Sequence, residues 1–532
     1  MTPSENDRRK APLAAAQPAR DDSQVSLVNA LLQPEAYPHP VGQIELIETH
    51  ISWVFLAGEF CYKVKKPVQF DFLDFGSLEL RKFYCEEELR LNRRFAPELY
   101  LDVVPITGSA ASPHFGGEGP ASEYAVRSRR FPPTARMDQV LARGEFSARL
   151  CDRLAEAIAS AHQLAAVADQ DSDFGTATLI HRQWTETLQL AKHGVPHALR
   201  GRVDRLQYLS ESKWPLLVPL FAKRREQGCI RECHGDLHLE NMIAIDDQPR
   251  LFDCLEFNPA LRWIDVMSDV AFVVMDLDDR GHPELAARLL NRYLELTDDY
   301  VGLGVLRHYQ MYRAMVRGAV TALQARLPGR SNTEQLDLER RAESYLRLAE
   351  HYAQPRCPSL VITHGLSGTG KSTFTQQLLE KIHALRLRSD IERRRTTEGV
   401  SAESQRDVRY SVEARRRVYE AMAQKCDSIL QTGWSVIIDA TFLQRVDREL
   451  FQHVAANRRV PLVILTFAVA HRELHSRIEL RTREQADESE ATHEVLEQQR
   501  QAIEPIAEDE RSAATVLDAS ALSVEKIASR IA

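Results

Sequence analysis

The octapeptide Gly365-Leu366-Ser367-Gly368-Thr369-Gly370-Lys371-Ser372 fits the pattern G-x-x-x-x-G-K-[ST] at every fixed position. A short β-branched run, Ser359 to Thr363, precedes it, and the residues from Thr373 to Ile382 have a helical composition. Strand, glycine loop and helix form the context that this pattern requires. The glycines let successive N–H groups point at a phosphate, and the helix N-terminus adds its partial positive charge. The stretch therefore predicts a nucleoside triphosphate site.

Each polar residue of this predicted site has an expected role. Lys371 reaches the β and γ phosphates, and Ser372 ligates Mg²⁺. Thr373, the first residue after the octapeptide, completes the set that surrounds the phosphates. We expect ATP and Mg²⁺ as the cofactors.

Length and composition exclude several classes of protein. A chain of 532 residues suggests about three or four folding units, since most domains contain about 100–150 residues. A hydrophobic fraction of 44% and a charged fraction of 27% are typical of a soluble globular protein. A net charge of −8 argues against nucleic acid as a partner, because sequence-independent binding depends on lysine and arginine.

The cysteines and the N-terminus indicate the compartment. None of the eight cysteines forms a C-x-x-C pair, so reduced thiols are expected. The first ten residues lack the apolar segment of a signal peptide, and no run of about 18 apolar residues occurs. We therefore expect a cytoplasmic protein with no membrane partner, and the sequence does not determine its oligomeric state.

The first half of the chain predicts a lysine-bearing hairpin and an acidic helix. Residues 51–56 and 60–64 are β-rich runs, and period two places Lys63 and Lys65 on one face. A helix is expected from an N-cap at Ser77 to about residue 94. On a helical wheel Glu87 lies nearest the centre of its apolar stripe and Glu88 at the flank.

A second dense motif follows in residues 233–241. Residues 242–245 and 250–253 predict a short hairpin that folds Asp253 back beside Asn241. Two oxygen ligands and a nearby carboxylate suit Mg²⁺ and a proton acceptor. In a protein-kinase-like arrangement Asp236 is the base, and Asn241 and Asp253 bind the metal.

A family resemblance rests on these residues. His234-Gly235-Asp236-Leu237-His238 with Asn241, followed by Asp253, Trp263-Ile264-Asp265 and Asp269, resembles the aminoglycoside phosphotransferase family over roughly residues 41–350. The resemblance implies a protein-kinase-like fold in which Lys63 is the strand lysine and Glu88 its helix partner. One departure is that the hairpin before Lys63 has a single glycine, Gly58. A non-catalytic kinase fold is the alternative.

The last part of the chain predicts a parallel sheet. Apolar runs at 359–363, near 385, and at 435–438, 461–467 and 514–517 alternate with helical stretches, which is typical of βα units. Asp390 and Asp439 are expected at carboxyl ends of strands, where ligands of such sheets gather. Asp439 resembles a Walker B aspartate, and Asp390-Ile391-Glu392-Arg393 resembles the D-x-x-R element of small P-loop kinases.

That second resemblance assigns further roles. It implies that Asp390 is the base for an acceptor hydroxyl and that Arg393 steadies a substrate or phosphate. Arg477 and Arg481 share a helix face and suit a lid that neutralises the transferring phosphoryl group. The alternatives are an N-cap role for Asp390 and an exposed basic face for the two arginines.

The predicted chain is a multidomain protein of α/β and α+β class. Its expected parts are a disordered leader (1–40), a kinase-like N-lobe (41–135), a helical C-lobe (136–353), a linker (354–358) and a P-loop NTPase domain with a parallel α/β sheet (359–532). The whole arrangement resembles a bacterial family of aminoglycoside phosphotransferase-like and ATP-binding proteins. It implies two kinase sites that phosphorylate small-molecule hydroxyl acceptors. The alternatives are a nucleotide-driven regulatory switch, or a kinase of nucleotide sugars or polynucleotide ends.

Overall fold

The computed structural model describes residues 22–70, 73–396, 412–468, 474 and 493–531. The chain divides into two units. The residues up to Asp276 and His308–Tyr352 form the first unit. Leu277–Arg307 and the residues from Ala353 onward form the second. The predicted boundaries of lobes and linker stay predictions, but the assignment of Leu277–Arg307 to the second unit was not expected from the sequence.

The first unit begins with a helix and a six-stranded antiparallel sheet in the order β1-β2-β3-β8-β6-β7. The elements are α1 (Asp22–Leu31), β1 (Ile44–Glu48), β2 (Ser52–Ala57), β3 (Phe60–Lys65), β4 (Gln69–Phe70), β5 (Leu73–Asp74), α2 (Leu78–Asn92), β6 (Tyr100–Ser109), β7 (Ser112–Phe115) and β8 (Ala121–Arg129). The predicted hairpin of β2 and β3 is present, with Val54 opposite Lys63. Strand β7 was not predicted.

Helix α1 corrects the predicted extent of the leader. Val28 and Leu31 are buried in one cluster with Trp53 and Tyr62 of the sheet. Their burial gives residues 22–31 a core to pack against, whereas a leader without structure was expected up to residue 40. The packing of this helix against the sheet could not be predicted from the composition of the segment.

Helix α2 forms as its sequence predicts. Ser77 has an extended backbone, and its hydroxyl accepts a hydrogen bond from Leu80 N at 3.2 Å. This bond satisfies one of the N–H groups that every helix start leaves unpaired. The helix ends at Asn92, two residues before the predicted end.

The rest of the first unit is mainly helical. Its elements are α3 (Met137–Ala142), α4 (Ala148–Leu164), α5 (Ala177–Gly194), α6 (Arg200–Glu226), β9 (Ile230–Glu232), β10 (Met242–Ile245), β11 (Gln248–Leu251), α7 (Pro259–Arg262), β12 (Trp263–Asp265) and α8 (Val266–Asp279), whose last three residues belong to the second unit. Strands β10 and β11 form the predicted hairpin, and β9 pairs with β12. The returning strand β11 begins two residues before the prediction.

Three further helices follow: α9 (Pro283–Thr297), α10 (Leu303–Ala325) and α11 (Asn332–Ala353). Helix α9 and the start of α10 belong to the second unit. The remainder of α10 and all of α11 except Ala353 belong to the first. Among the described residues, no helix combines the length and the apolar composition that crossing a membrane requires. All eight cysteines are free thiols.

The second unit is built on a parallel five-stranded sheet in the order β14-β15-β13-β16-β17, which confirms the predicted sheet. Its elements are β13 (Leu360–His364), α12 (Lys371–Ile382), β14 (Leu385–Arg388), α13 (Ser389–Thr396), α14 (Val412–Gln431), β15 (Val436–Asp439), α15 (Arg445–Arg458), β16 (Leu462–Thr466), α16 (His493–Ala502), α17 (Glu508–Ala513), β17 (Thr515–Asp518) and α18 (Val524–Ile531). Strands β13, β15 and β16 are almost entirely buried, as apolar runs of this kind predict, whereas the edge strand β17 is mostly exposed.

Candidate active sites

The first site is centred on a carboxylate that binds two lysines. Lys63 and Lys65 lie on the same face of β3, and both point at Glu88 of α2. Lys63 Nζ is 2.9 Å from Glu88 Oε1, and Lys65 Nζ is 2.8 Å from Glu88 Oε2. The side chains of β3 therefore alternate as predicted, with Lys63 and Lys65 on one face.

Glu88, and not Glu87, is the carboxylate that faces inward. Glu88 is 1% exposed, whereas Glu87 forms ion pairs with Arg90 at 2.9 Å and with Arg262 at 3.3 Å. The helical-wheel preference for Glu87 is wrong, because a wheel does not show which flank of the stripe faces β3. The assignment that came from the family resemblance matches this geometry.

The two lysines differ in their surroundings. Lys65 is fully buried and also pairs with Glu256. The Lys63 side chain keeps 19% exposure, and its Nζ lies 2.5 Å from Asp253 Oδ1. Lys63 is thus the lysine that reaches both the helix carboxylate and the predicted metal ligand.

Burial and charge act in opposite directions on this cluster. Burial raises the pKa of the Glu88 carboxyl, but Lys63 and Lys65 outweigh it and lower that pKa to about 2. Burial lowers the pKa of Lys63, but the carboxylates of Asp253 and Glu88 outweigh it and raise that pKa well above its usual value. Lys63 and Glu88 are therefore both charged at neutral pH.

The loop between β9 and β10 is held by helix α8. Asp269 accepts hydrogen bonds from His234 N at 2.8 Å and from Gly235 N at 2.9 Å. Asp276 accepts one from Leu239 N at 2.9 Å. Gly235 has φ +87°, and a Cβ there would lie 2.6 Å from Leu261 O, so the loop requires glycine at this position.

Asp236 is partly buried in this loop and has two polar neighbours. Asn241 Nδ2 donates to Asp236 Oδ2 at 2.9 Å, and His238 Nε2 lies 3.3 Å from the same oxygen. Burial raises the pKa of the Asp236 carboxyl, but His238 outweighs it and holds that pKa well below its usual range. Asp236 is therefore an ionised, oriented acceptor. His238 orients this carboxylate, and His234 Nε2 lies 2.8 Å from Phe252 O.

Asn241 and Asp253 are brought to one end of the β10–β11 hairpin. Phe252 N donates to Asn241 O at 3.0 Å. Asp253 is the next residue after Phe252 and therefore lies beside Asn241. Asp253 has φ +62°, a conformation that few non-glycine residues adopt, and its N–H donates to Tyr100 Oη at 3.1 Å. An amide oxygen and a carboxylate are ligands that fit Mg²⁺.

The second site contains the glycine loop. Gly365, Gly368 and Gly370 have φ values of +154°, +83° and +90°. A Cβ on Gly365 would lie 2.8 Å from Phe467 O. Lys371 Nζ donates to Leu366 O at 2.7 Å, so the lysine lies across the loop in which phosphates are expected.

Helix α16 contacts the same loop. Gln499 Oε1 accepts a hydrogen bond from Ser367 N at 2.9 Å, and Gln499 Nε2 donates to Ser367 Oγ at 3.0 Å. Leu496 packs in a small cluster with Leu474 and Leu366. Nothing in the sequence pattern indicated these contacts, because Gln499 is 132 residues from its partner.

Asp439 ends strand β15 as predicted and is 5% exposed. Thr375 Oγ1 donates to Asp439 Oδ2 at 3.3 Å, and Arg386 Nη1 lies 3.9 Å from the same oxygen. Arg386 Nη1 also donates to Ser372 O at 2.9 Å. The Ser372 hydroxyl and the Asp439 carboxylate form an oxygen donor set that fits Mg²⁺.

Asp390 and Arg393 form an ion pair at 2.8 Å. Strand β14 ends at Arg388, and Asp390 lies in the first turn of α13, whereas the sequence placed Asp390 at the end of the strand. Two other residues fix this helix. Glu392 pairs with Lys425 at 2.7 Å, and Arg395 with Asp298 at 2.8 Å.

The predicted lid residues Arg477 and Arg481 lie outside the described residues.

Several residues near the two sites were missed by sequence reasoning. Lys65 is not one of them, because the alternation of side chains along β3 already placed it on the face of Lys63. The missed residues depend on contacts between distant parts of the chain. They are Glu256, Asp276, Glu295, Thr375, Arg386 and Gln499.

Comparisons with known proteins match two separate regions of the chain. Residues 85–309 match the model of the phosphotransferase enzyme family, and residues 360–506 match a model described as an AAA domain. An uncharacterized protein of Mycobacterium tuberculosis (strain ATCC 25618 / H37Rv) is 30% identical over 436 residues, covering 80% of this chain and 84% of the relative. An uncharacterized protein of Mycobacterium bovis matches to the same extent.

Solved structures similar to this chain include kinases of two kinds. An amicoumacin kinase in complex with AMP-PNP, Ca²⁺ and Ami is 14% identical and covers 62% of this chain and 94% of its own, with a TM-score of 0.39. Choline kinase of Cryptosporidium parvum Iowa II is 13% identical, with coverages of 58% and 88% and a TM-score of 0.37. A gluconokinase of Sinorhizobium meliloti 1021 is 18% identical, with coverages of 33% and 90% and a TM-score of 0.24.

The chain is a two-domain protein with a phosphotransferase-family, kinase-like domain and a P-loop, kinase-like AAA domain. It belongs to the family of the mycobacterial proteins described above.

Proposed function

We propose that the chain is an ATP-dependent phosphotransferase with two kinase-like sites, each transferring the γ-phosphoryl group to a hydroxyl of a small molecule. The observation that carries the proposal is the set of contacts at the first site. Lys63 bridges Glu88 and Asp253, while Asn241 orients the Asp236 carboxylate. A cation for phosphates, an oxygen donor set and an ionised proton acceptor are the parts that phosphoryl transfer needs.

At the first site the acceptor hydroxyl oxygen attacks the γ phosphorus. The bond between that phosphorus and the oxygen that bridges to the β phosphate breaks, so ADP leaves. The hydroxyl proton passes to Asp236. Lys63 holds the phosphates, and Asn241 and Asp253 would hold Mg²⁺, which supplies charge neutralisation when bound.

At the second site the glycine loop and Lys371 hold the triphosphate. Asp390 accepts the proton of a second hydroxyl, and Arg393, which pairs with Asp390 at 2.8 Å, moves to the phosphate or acceptor. Ser372 and Asp439 would hold Mg²⁺. Arg477 and Arg481 are proposed to neutralise charge on the phosphoryl group in transfer.

The experiment follows labelled γ-phosphate from ATP into a metabolite pool, using the full chain. Asp236→Asn is expected to lower one labelled product by about 10²–10⁴-fold, the usual contribution of an acid–base group. Asp390→Asn is expected to lower a second product. The matched control is Asp246→Asn, since Asp246 is an exposed aspartate in the turn after β10.

One outcome would replace this proposal with a regulatory switch. In that outcome neither aspartate variant changes any labelled product, while Lys371→Ala abolishes ATP hydrolysis. The P-loop domain would then bind and hydrolyse ATP without phosphorylating a metabolite.

A further inference from the structure

Helix α9 is part of the P-loop unit, although it lies within the residues that match the phosphotransferase family. The match covers residues 85–309, whereas Leu277–Arg307 belongs to the second unit. Ala287 of α9 is buried in one cluster with Val361 of the central strand and Leu378 of α12. The P-loop unit therefore takes part of its core from a segment far upstream of its own strands.

The polar side of α9 covers the free edge of the sheet. Strand β14 is an edge strand, and Asn291 Oδ1 accepts a hydrogen bond from Arg386 N at 2.7 Å. Asn291 Nδ2 donates to Glu295 Oε1 at 3.0 Å. Both residues are buried. Helix α9 thus fixes Arg386 through its backbone and places a carboxylate beside its side chain.

Arg386 lies between two buried carboxylates. Its guanidinium is 3.5 Å from Glu295 Oε1 and 3.9 Å from Asp439 Oδ2. The three side chains are 4–6% exposed. Charges with so little water around them interact strongly. Asp439 is a proposed Mg²⁺ ligand, so Arg386 is a cation that competes with the metal for the same carboxylate.

The charges of this group explain why a second carboxylate is needed. Glu295, Arg386 and Asp439 together carry one negative charge, which favours a divalent cation. Arg292 Nη1 lies 3.7 Å from the other oxygen of Glu295, but its side chain is 26% exposed and its charge is therefore better screened by water. Without the charge of Glu295 the group is neutral, and Arg386 has Asp439 as its remaining ionic partner among these three.

We propose that Glu295 is a positioning residue for the P-loop site: it neutralises Arg386 and so leaves Asp439 available to Mg²⁺. The inference rests on the proposed function, because it assumes that this site binds Mg²⁺ with a nucleotide. It adds that the metal affinity of the P-loop site is set in part by a residue of the upstream segment.

The test measures binding instead of turnover. The full chain carries Lys63→Met, which removes the phosphate-binding ammonium of the first site while Glu88 stays paired with Lys65. Binding of a non-hydrolysable ATP analogue is measured by calorimetry with Mg²⁺ and with EDTA. The ratio of the two affinities reports the contribution of the metal.

Glu295→Gln is expected to lower this ratio about tenfold, a change of the size that one charge near a partly buried cation produces. Affinity in EDTA should stay unchanged, which also shows that the variant is folded. Glu295→Asp, which keeps the charge, should retain most of the ratio. Arg386→Gln should raise it. Glu284→Gln, in the more exposed first turn of α9, is the matched control and should have no effect.

Two results separate the failure of this inference from the failure of the proposed function. An unchanged ratio in Glu295→Gln, or equal weakening with Mg²⁺ and with EDTA, overturns the inference alone. In the other result, the Lys63→Met chain binds no nucleotide, and Lys371→Ala therefore changes nothing. That result contradicts the proposed function of the P-loop site and the inference with it.

Discussion

Lys63 Nζ lies 2.9 Å from Glu88 Oε1, which joins the third strand of the N-terminal sheet to the helix that follows it. Glu88 also pairs with Lys65, so one carboxylate charge is shared between two buried or partly buried ammonium groups. Asp253 and Glu256 supply the remaining negative charge. The cluster therefore sets three carboxylates against two ammonium groups, and loss of either lysine increases its excess of negative charge.

Glu88→Ala is expected to lower the free energy of unfolding by about 3–5 kcal/mol, since it removes the buried partner of Lys63 and one of the two buried partners of Lys65. Glu86→Ala, on the same helix, should cost about 1 kcal/mol or less, because the side chains of Glu86 and its partner Lys82 are 56% and 48% exposed. Urea unfolding of the full chain checks both. Equal losses in the two variants would contradict the inward role of Glu88.

Lys371→Ala is expected to weaken ATP-analogue binding at the P-loop site by about 10–10²-fold, because a charged hydrogen bond contributes about 1.5–3 kcal/mol. Lys381→Ala is the control, since Lys381 is exposed in the last turn of the same helix. Calorimetry in the Lys63→Met chain isolates the site. If both variants bind alike, the glycine loop does not hold the nucleotide through Lys371.

The Asp236–His238 contact predicts a pH dependence of stability. His238 keeps a raised pKa because Asp236 outweighs the effect of burial, and the pKa of Asp236 is lowered by His238. The aspartate contribution is present above its ordinary pKa of 3.8 and is lost only far below it. The histidine contribution is complete below 6.5 and is lost as pH rises through the raised value.

Wild type should therefore exceed His238→Gln in unfolding free energy at pH 5–6, and the difference should shrink towards pH 9. Denaturant unfolding across this range measures it. His193→Gln, at an exposed histidine of α5, is the control for the substitution itself. A gap between wild type and His238→Gln that widens with pH would contradict the contact.

A buried and an exposed ion pair lie side by side in the second unit. Arg448 and Glu510 are 0% and 1% exposed and pair at 2.7 Å, whereas Arg445 and Asp509 pair with side chains 45% and 62% exposed. Glu510→Ala should cost about 3–5 kcal/mol, because a buried guanidinium loses its partner. Asp509→Ala should cost about 1 kcal/mol or less. Differential scanning calorimetry would show whether the two losses differ.

Local patterns predicted most of the elements and much of each candidate site. The octapeptide at 365–372, the N-cap at Ser77 and the alternation in β3 depend on neighbouring residues, so the sequence displays them directly. The choice between Glu87 and Glu88 depends on which flank of α2 meets β3. Periodicity does not contain that information.

Contacts between distant residues explain the remaining differences. Arg386 meets Glu295 across 91 positions and Asp439 across 53. Helix α9 has the same amphipathic pattern whether it packs against the first unit or the second. The leader residues of α1 likewise gain order from Trp53 and Tyr62, which composition alone does not reveal.

The position of α9 also matters during synthesis. Its core partners include Leu517, in the last strand of the sheet, so residues 283–297 leave the ribosome more than 200 residues before that partner. At translation rates of roughly 5–20 residues per second this is a delay on the order of 10–40 s. During that time the apolar side of α9 lacks the core residues against which it packs in the folded unit. The P-loop unit therefore completes its core only near the end of translation.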